Sequence, residues 1–132
     1  MPAVLVIDMC GFSRLMEEQG VDTALTAVAR LQAVAKGCVQ SMGGQVVKSW
    51  ADNVMATFPD VRRAVQAAEA TQALVRCAAG VGFGETLERP GDLFGVEVNK
   101  ACRLGEDVAE GGQVLLTEAA KRQLNSAHGA AE

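Results

Sequence analysis

Long apolar runs, histidine and clusters of basic residues are scarce or missing in this chain of 132 residues. No apolar run approaches the roughly 20 residues that a membrane-spanning helix requires, so we expect no membrane span. The apolar run at 3–7 is too short for the core of a signal peptide, and Asp8 interrupts it. We therefore expect a cytoplasmic protein with reduced thiols.

Cysteine and histidine do not combine into a zinc-binding pattern. The four cysteines, Cys10, Cys38, Cys77 and Cys102, form no C-x-x-C pair, and the single histidine, His128, lies in the C-terminal tail. Because structural zinc sites draw their ligands from closely spaced cysteine and histidine residues, we expect no zinc site.

The charge balance argues against nucleic acid as a partner. The formal net charge is -4, and lysine and arginine form no cluster. Sequence-independent binding to nucleic acid needs a basic face that displaces counterions from the phosphates. With 49% hydrophobic residues, the chain has the composition of a globular protein, and its length fits one domain over 1–132 with a frayed tail from about 125.

Hydrophobic periodicity and turn residues predict the element order β, α, α, β, β, α, β, α, β, α. The predicted strands are 3–7, 45–50, 53–58, 78–87 and one following Gly111-Gly112; the predicted helices are 14–20, 22–42, 60–77, 96–108 and a short one ending near 124. Asp22 and Asp60 are predicted to cap the second and third helices, and 88–92 to form a turn. The central hairpin favours an α+β fold with a ferredoxin-like βαββαβ sheet over a doubly wound sheet.

Two aspartates are predicted to lie at strand ends. Asp8 follows the first strand, and Asp52 lies at the tip of the central hairpin. A ferredoxin-like sheet can place this hairpin beside the first strand, where two converging carboxylates would hold Mg²⁺ or Mn²⁺ and leave positions for water and phosphate oxygens. The alternative is that Asp8 caps a turn and Asp52 belongs only to the hairpin.

Asn99 and Arg103 are four residues apart in a predicted helix, so they share one face. The planar guanidinium of arginine suits a phosphate because it donates two parallel hydrogen bonds. The alternative is a solvated helix face.

Three glycines, Gly80, Gly82 and Gly84, alternate within the segment GVGFGE. The segment matches neither the P-loop nor the G-x-G-x-x-G pattern. Close packing of another backbone against a strand is the favoured interpretation.

Six segments in this order resemble the class III nucleotidyl cyclase family, the adenylate and guanylate cyclases, from about residue 3 to residue 120. They are VLVIDMCGFS, GGQVVKSWADNVMATF, AVQAAEATQAL, GVGFGE, DLFGVEVNKACRL and GGQVLLTEAA. The resemblance implies that two Mg²⁺ or Mn²⁺ ions are held by Asp8 and Asp52, assisted by the backbone carbonyl of Met9. It also implies a homodimer with sites shared between the chains.

The resemblance further implies that Lys48 and Asp92 bind the purine, and that Asn99 and Arg103 orient the ribose and stabilise the transition state. Adenine presents an acceptor at N1 and a donor at its exocyclic amine, which a lysine donor beside an aspartate acceptor complements. ATP is therefore favoured over GTP as substrate, and the implied enzyme is an adenylate cyclase that forms 3′,5′-cyclic AMP and pyrophosphate.

The sequence departs from the family's usual pattern in three places. Ala51 stands where the family usually has glycine, which would be strained if the position needs a positive φ. The arm at 86–92 is short. The chain ends soon after Leu124, where family members continue into a hairpin that supplies a cationic phosphate contact, and neither Lys121 nor Arg122 matches that contact by motif.

Three other functions are alternatives to an active cyclase. The main alternative is a catalytically weak or inactive cyclase-homology module that binds nucleotide or dimerises as a regulator. The palm fold of diguanylate cyclases would carry a G-G-[DE]-E-F signature near Trp50, and that signature is absent. A receiver domain would need an acidic pair after the first strand and a late lysine, and neither is apparent.

Overall fold

A computed structural model describes the backbone of residues 1–131 and the side chains of residues 1–126. The strands are β1 (Ala3–Met9), β2 (Gln45–Trp50), β3 (Asn53–Phe58), β4 (Cys77–Phe83), β5 (Leu87–Arg89), β6 (Asp92–Phe94) and β7 (Val114–Leu116). The helices are α1 (Phe12–Gln19), α2 (Val21–Ser41), α3 (Val61–Gln72), α4 (Val96–Arg103) and α5 (Glu118–Ala131), with a π-helical turn over Leu104–Val108. The tail predicted to fray from about 125 lies mostly outside the described side chains, so that stays a prediction.

The main sheet has the order β2-β3-β1-β4-β7. Its first four strands are antiparallel, and β7 pairs parallel to β4. The two inner strands of this antiparallel part are the first strand of the chain and the second strand of the hairpin, which is the ferredoxin-like arrangement. The predicted α+β fold is therefore confirmed.

The sheet buries a core on each face. The larger core includes Leu5 and Ile7 of β1, alternate residues whose side chains face α2 and α3. The opposite face packs beneath α4 and β6, and its core contains Val4, Val6, Met55, Leu93, Val98 and Ala101. The core on this second face is the smaller of the two, and one end of the face carries the predicted site residues.

Two glycines of β4 allow α4 to lie close to the sheet. A Cβ atom on Gly80 would meet the carbonyl oxygen of Ala101, and one on Gly82 would meet the carbonyl oxygen of Glu97. The predicted close backbone packing at these glycines is confirmed. Glu97 also fixes α4, because its Oε1 accepts hydrogen bonds from the Thr117 hydroxyl at 2.6 Å and from the Phe83 amide at 3.1 Å.

The two predicted helix caps have different outcomes. The side chain of Asp60 accepts a hydrogen bond from the amide of Arg63 at 2.9 Å, so this cap is confirmed. The predicted cap at Asp22 is wrong, because α2 begins at Val21 and Gly20 occupies the cap position with a φ of 93°. A single glycine joins α1 to α2, and Asp22 lies in the first turn, where its charge favours the helix dipole.

Three predicted boundaries are corrected. The third helix ends at Gln72, where the amide of Leu74 donates to the carbonyl oxygen of Thr71 at 3.0 Å in a tighter turn, and the chain enters β4 at Cys77. The predicted strand at 78–87 ends at Phe83, and the predicted turn at 88–92 is confirmed at Pro90 and Gly91, which join the short strands β5 and β6. The predicted helix at 96–108 changes from α to π geometry after Arg103. Among the residues that the structure describes, no helix has the length and apolar character needed to cross a bilayer.

Candidate active site

The C-terminal end of β1 and the turn of the β2–β3 hairpin meet at one end of the sheet, where these strands terminate. Asp8 is the cross-strand partner of Asn53, and the amide of Met9 donates to the carbonyl oxygen of Asp52 at 3.0 Å. Asp8 lies two residues beyond Val6, so its side chain is on the face that α4 covers. The structure thus brings together the two aspartates predicted to bind metal, hereafter the carboxylate pair.

The members of the carboxylate pair repel each other. Burial, the charge of Asp52 and a hydrogen bond between the two side chains together raise the pKa of Asp8 to about 7. Because folded Asp8 binds its proton more tightly than unfolded Asp8 does, its contribution to stability is lost as the pH rises toward 7. A cation between the two groups would remove this repulsion, which is the electrostatic condition that a divalent metal site provides.

The oxygen atoms at this end of the sheet suit a hard divalent cation. Within the described residues, no three or more His, Cys, Asp or Glu side chains gather closely enough to hold a metal ion. Asn53, however, is only 7% exposed, and its Oδ1 atom has no hydrogen-bond partner among those residues. Mg²⁺ is usually bound by one or two carboxylates together with substrate phosphates, so the residues present fit the metal that the resemblance implies.

Lys48 and Asp92 form an ion pair, with Lys48 Nζ 2.8 Å from Asp92 Oδ1. A β-bulge between Val46 and Lys48 brings Lys48 opposite Met55, on the face that α4 covers. The ammonium group also lies 4.9 Å from the centre of the Trp50 ring. The hydrogen bond from Lys48 lowers the pKa of Asp92, so a charged acceptor lies beside a donor on this face.

Asn99 and Arg103 lie one turn apart on the exposed side of α4, while Val98 and Ala101 on the same helix are buried. Within the part of the chain that the structure describes, neither of the two exposed side chains forms an ion pair or a hydrogen bond with the carboxylate pair. The described residues thus show no direct polar contact between the two predicted catalytic residues and the residues predicted to bind metal in the same chain.

Two acidic residues of the π-helical turn were not predicted as part of this site. Burial raises the pKa of Glu106, and the charges of Asp107 and Asp52 raise it further. Both acidic residues also raise the pKa of Asp8. They lie close to the carboxylate pair because Gly105 packs on β1, where an added Cβ atom would lie 2.8 Å from the carbonyl oxygen of Val6.

No family model matches the sequence. An adenylate cyclase from Streptomyces griseus is 33% identical over 131 residues, which cover 93% of this chain and 32% of that protein. An adenylate/guanylate cyclase/hydrolase from Silicibacter pomeroyi has a TM-score of 0.81 at 25% identity, covering 96% of this chain and 80% of that one. The chain belongs to the class III nucleotidyl cyclase family.

The family assignment covers nearly all of this cyclase-like chain but only part of its relatives. The chain spans 22% to 34% of the length of the curated relatives it matches. The adenylyl cyclase CyaB from P. aeruginosa has the same fold, with a TM-score of 0.75 at 20% identity, and the match covers 95% of this chain and 80% of that one.

One departure from the family's pattern has a visible backbone consequence. Ala51, in the turn where class III cyclases usually have glycine, has a φ of 45°, and the other described residues with positive φ are glycines. An alanine in this left-handed conformation is strained by contact between its Cβ atom and the backbone.

We expect Ala51→Gly to stabilise the domain. Relief of the left-handed strain, about 1–2 kcal/mol, exceeds the extra chain entropy that glycine loses on folding, so a net gain of about 0.5–1 kcal/mol is expected. Chemical unfolding of both proteins measures this difference. Gly91→Ala is the matched control in the opposite sense, because Gly91 has a φ of 71° and no heavy atom within 4 Å of its added Cβ position. A loss of stability in Ala51→Gly would contradict the strain.

Proposed function

We propose that this domain converts ATP to 3′,5′-cyclic AMP and pyrophosphate at sites shared by two copies of the chain. The observation that carries the proposal is the position of the carboxylate pair and the Lys48–Asp92 ion pair on the same sheet face. The carboxylate pair has the chemistry to hold the cations of a nucleoside triphosphate, and the Lys48–Asp92 pair has the chemistry to bind a base.

The reaction forms a bond between the 3′-oxygen of ATP and its own α-phosphorus. The bond from that phosphorus to the bridging oxygen breaks, and pyrophosphate and the proton of the 3′-hydroxyl are released. Asp8 and Asp52, with the carbonyl of Met9, would hold two Mg²⁺ or Mn²⁺ ions. These cations, when bound, supply positive charge that favours ionisation of the 3′-hydroxyl and departure of pyrophosphate.

Lys48 and Asp92 select the base in this proposal. The ammonium group donates to N1 of adenine, and the carboxylate accepts from the exocyclic amine. Lysine has three N–H donors and a carboxylate has several acceptor positions, so both can bind the base and keep their mutual hydrogen bond of 2.8 Å.

Asn99 and Arg103 act on the substrate held by the other chain. They lie exposed on α4 without contact to the carboxylate pair of their own chain, which is the position that a shared site requires. Asn99 would orient the ribose, and the guanidinium of Arg103 would bind the phosphate as its charge develops.

Turnover of ATP and GTP with Mn²⁺ or Mg²⁺ tests the reaction, and a variant with altered base contacts tests the site. We expect cyclic AMP as the main product of the wild type. The double variant Lys48→Glu and Asp92→Cys reverses the donor and acceptor pattern, so its preference for ATP over GTP should fall at least about tenfold. Replacing the nearby exposed Ser49 by Ala is the control and should leave the preference unchanged.

Two outcomes would contradict parts of this proposal. An unchanged ATP to GTP preference in the double variant would show that the base binds elsewhere. A wild type that binds ATP and Mn²⁺ without forming any cyclic nucleotide would favour the regulatory module over the enzyme.

A further inference from the structure

Two contacts fix the ammonium group of Lys48 on the sheet face that α4 covers. Its Nζ atom is 2.8 Å from Asp92 Oδ1, and it lies over the Trp50 ring at 4.9 Å from the ring centre. A cation within about 6 Å of an aromatic ring is attracted by the negative charge of the ring face, and tryptophan attracts it most strongly. Both contacts restrain a charge that is carried on a flexible four-carbon chain.

The place of Trp50 follows from the strand. Lys48 and Trp50 are two residues apart in β2, so their side chains lie on the same face, and the ring packs against the core that contains Met55 and Leu93. β2 is the edge strand of the main sheet, and the side chain of Lys48 is 32% exposed. A ring fixed by the core therefore lies beside an ammonium group that water can reach.

We propose that Trp50 is a positioning residue for Lys48 and thereby strengthens the preference for adenine over guanine. This inference rests on the proposed function, in which Lys48 donates to N1 of the base. Guanine carries a hydrogen at N1, so a fixed ammonium group would face another donor there. Without the ring, the lysine could turn away from that donor, which would weaken the contact with adenine and make guanine more acceptable.

Two other roles for Trp50 make different predictions. If the ring only packs against the core, its size matters and the charge of its face does not. If the ring stacks directly on the purine, it acts on both bases, because every base has a face that can stack, and its effect persists without Lys48. A change in the electron density of the ring at nearly constant size separates the three roles.

Fluorinated tryptophan provides that change, because ring fluorines withdraw electrons from the face and add little volume. Trp50 is the only tryptophan in the sequence, so incorporation of the analogue alters this ring alone. The measurement is the ratio of the dissociation constants of ATP and GTP with Mn²⁺, obtained by isothermal titration, which does not depend on turnover. We expect the preference for ATP to fall progressively with the number of ring fluorines, by about two- to fivefold in total.

Substitutions at the same position test the proposal independently. Trp50→Leu removes the aromatic face and should lower the preference for ATP by about two- to fivefold, and Trp50→Phe, the matched control, retains a face and should lower it less. Chemical unfolding of both variants measures the loss of packing separately. A preference that is the same with and without ring fluorines would overturn the proposal.

Lys48→Met tests whether the ring acts through the lysine. In that background the fluorines should leave the preference unchanged, because the cation is gone; an effect as large as in the wild type would overturn the proposal in favour of direct stacking. If Lys48→Met alters the preference and fluorination of the wild type does not, only the role of Trp50 is wrong. If Lys48→Met keeps the wild-type preference, or if neither nucleotide binds the wild type, the proposed base site is wrong and this inference with it.

Discussion

Asp52→Asn is expected to abolish cyclic AMP formation while the fold persists. The substitution keeps the size of the side chain and removes its charge, so the cations lose one of their two carboxylates. A loss of several kcal/mol of charge stabilisation corresponds to a rate decrease on the order of a thousandfold. The measurement is cyclic AMP formed from ATP in the presence of Mn²⁺, with the exposed Asp22→Asn, in the first turn of α2, as the control for removal of charge.

The loss of activity in this variant should not be accompanied by a loss of stability. Because Asp52 raises the pKa of Asp8, its replacement relieves repulsion, and without metal the midpoint of thermal unfolding at neutral pH should be no lower than that of the wild type. Mn²⁺ should raise the midpoint of the wild type more than that of the variant. Undiminished turnover by Asp52→Asn would show that Asp52 does not bind the catalytic ions.

The parts of the fold that follow from local rules were predictable from the sequence. The strands at 3–7 and 53–58 have apolar runs that suit a sheet interior, and they occur as the inner strands β1 and β3; the strand at 45–50 occurs as the edge strand β2. Asp60 caps α3 through contacts within its own turn. These features depend on residues that are close together in the chain, so they can be predicted from a single sequence.

The features that were missed depend on distant contacts. All three residues of β5 are exposed, so the strand has no apolar alternation to indicate it. The π-helical turn places Gly105 against the carbonyl oxygen of Val6, a contact between segments far apart in the chain. Gly20 replaced Asp22 as the cap because the junction between α1 and α2 needs a positive φ.

The same distinction applies to the candidate site. Asp8 and Asp52 were predictable because strand ends and hairpin tips can be located from the sequence. The sequence places Asn53 beside the predicted hairpin turn, and its burial follows only from packing in the folded chain. Glu106 falls within a predicted helix, and the sequence signal for its position near the carboxylate pair is the glycine immediately before it, which allows close approach to β1.

An exposed apolar surface supports the proposal that two copies of the chain associate. Leu87 and Phe94 are cross-strand partners in the β5–β6 sheet, and Val96 follows at the start of α4; their exposures are 53%, 51% and 69%. Exposed apolar patches of this kind mark interaction surfaces. Because this patch is continuous with α4, burying it against a second copy would also fix the position of Asn99 and Arg103.

Mixing two inactive variants should restore activity if each site is shared. Asp52→Asn and Arg103→Ala are each expected to be inactive as homodimers, because each defect then occurs in both sites. In a heterodimer one site carries both defects and the other carries neither, since a two-fold interface has two equivalent sites. Random exchange at equal amounts makes about half of the dimers heterodimers, so on the order of a quarter of wild-type activity should return.

The restored activity should depend on the time after mixing and on the ratio of the two variants, which identifies heterodimers as its origin. Heterodimers form by exchange, so activity should rise with time after mixing to a plateau and should be greatest at equal amounts of the two variants. A mixture of Asp52→Asn with Asp8→Asn is the matched control. Each site takes its whole carboxylate pair from one chain, and every chain in this mixture lacks one carboxylate, so every site is defective. If subunit exchange is confirmed by mass and the first mixture stays as inactive as the control, the carboxylate pair and Arg103 serve the same chain, and the shared site is wrong.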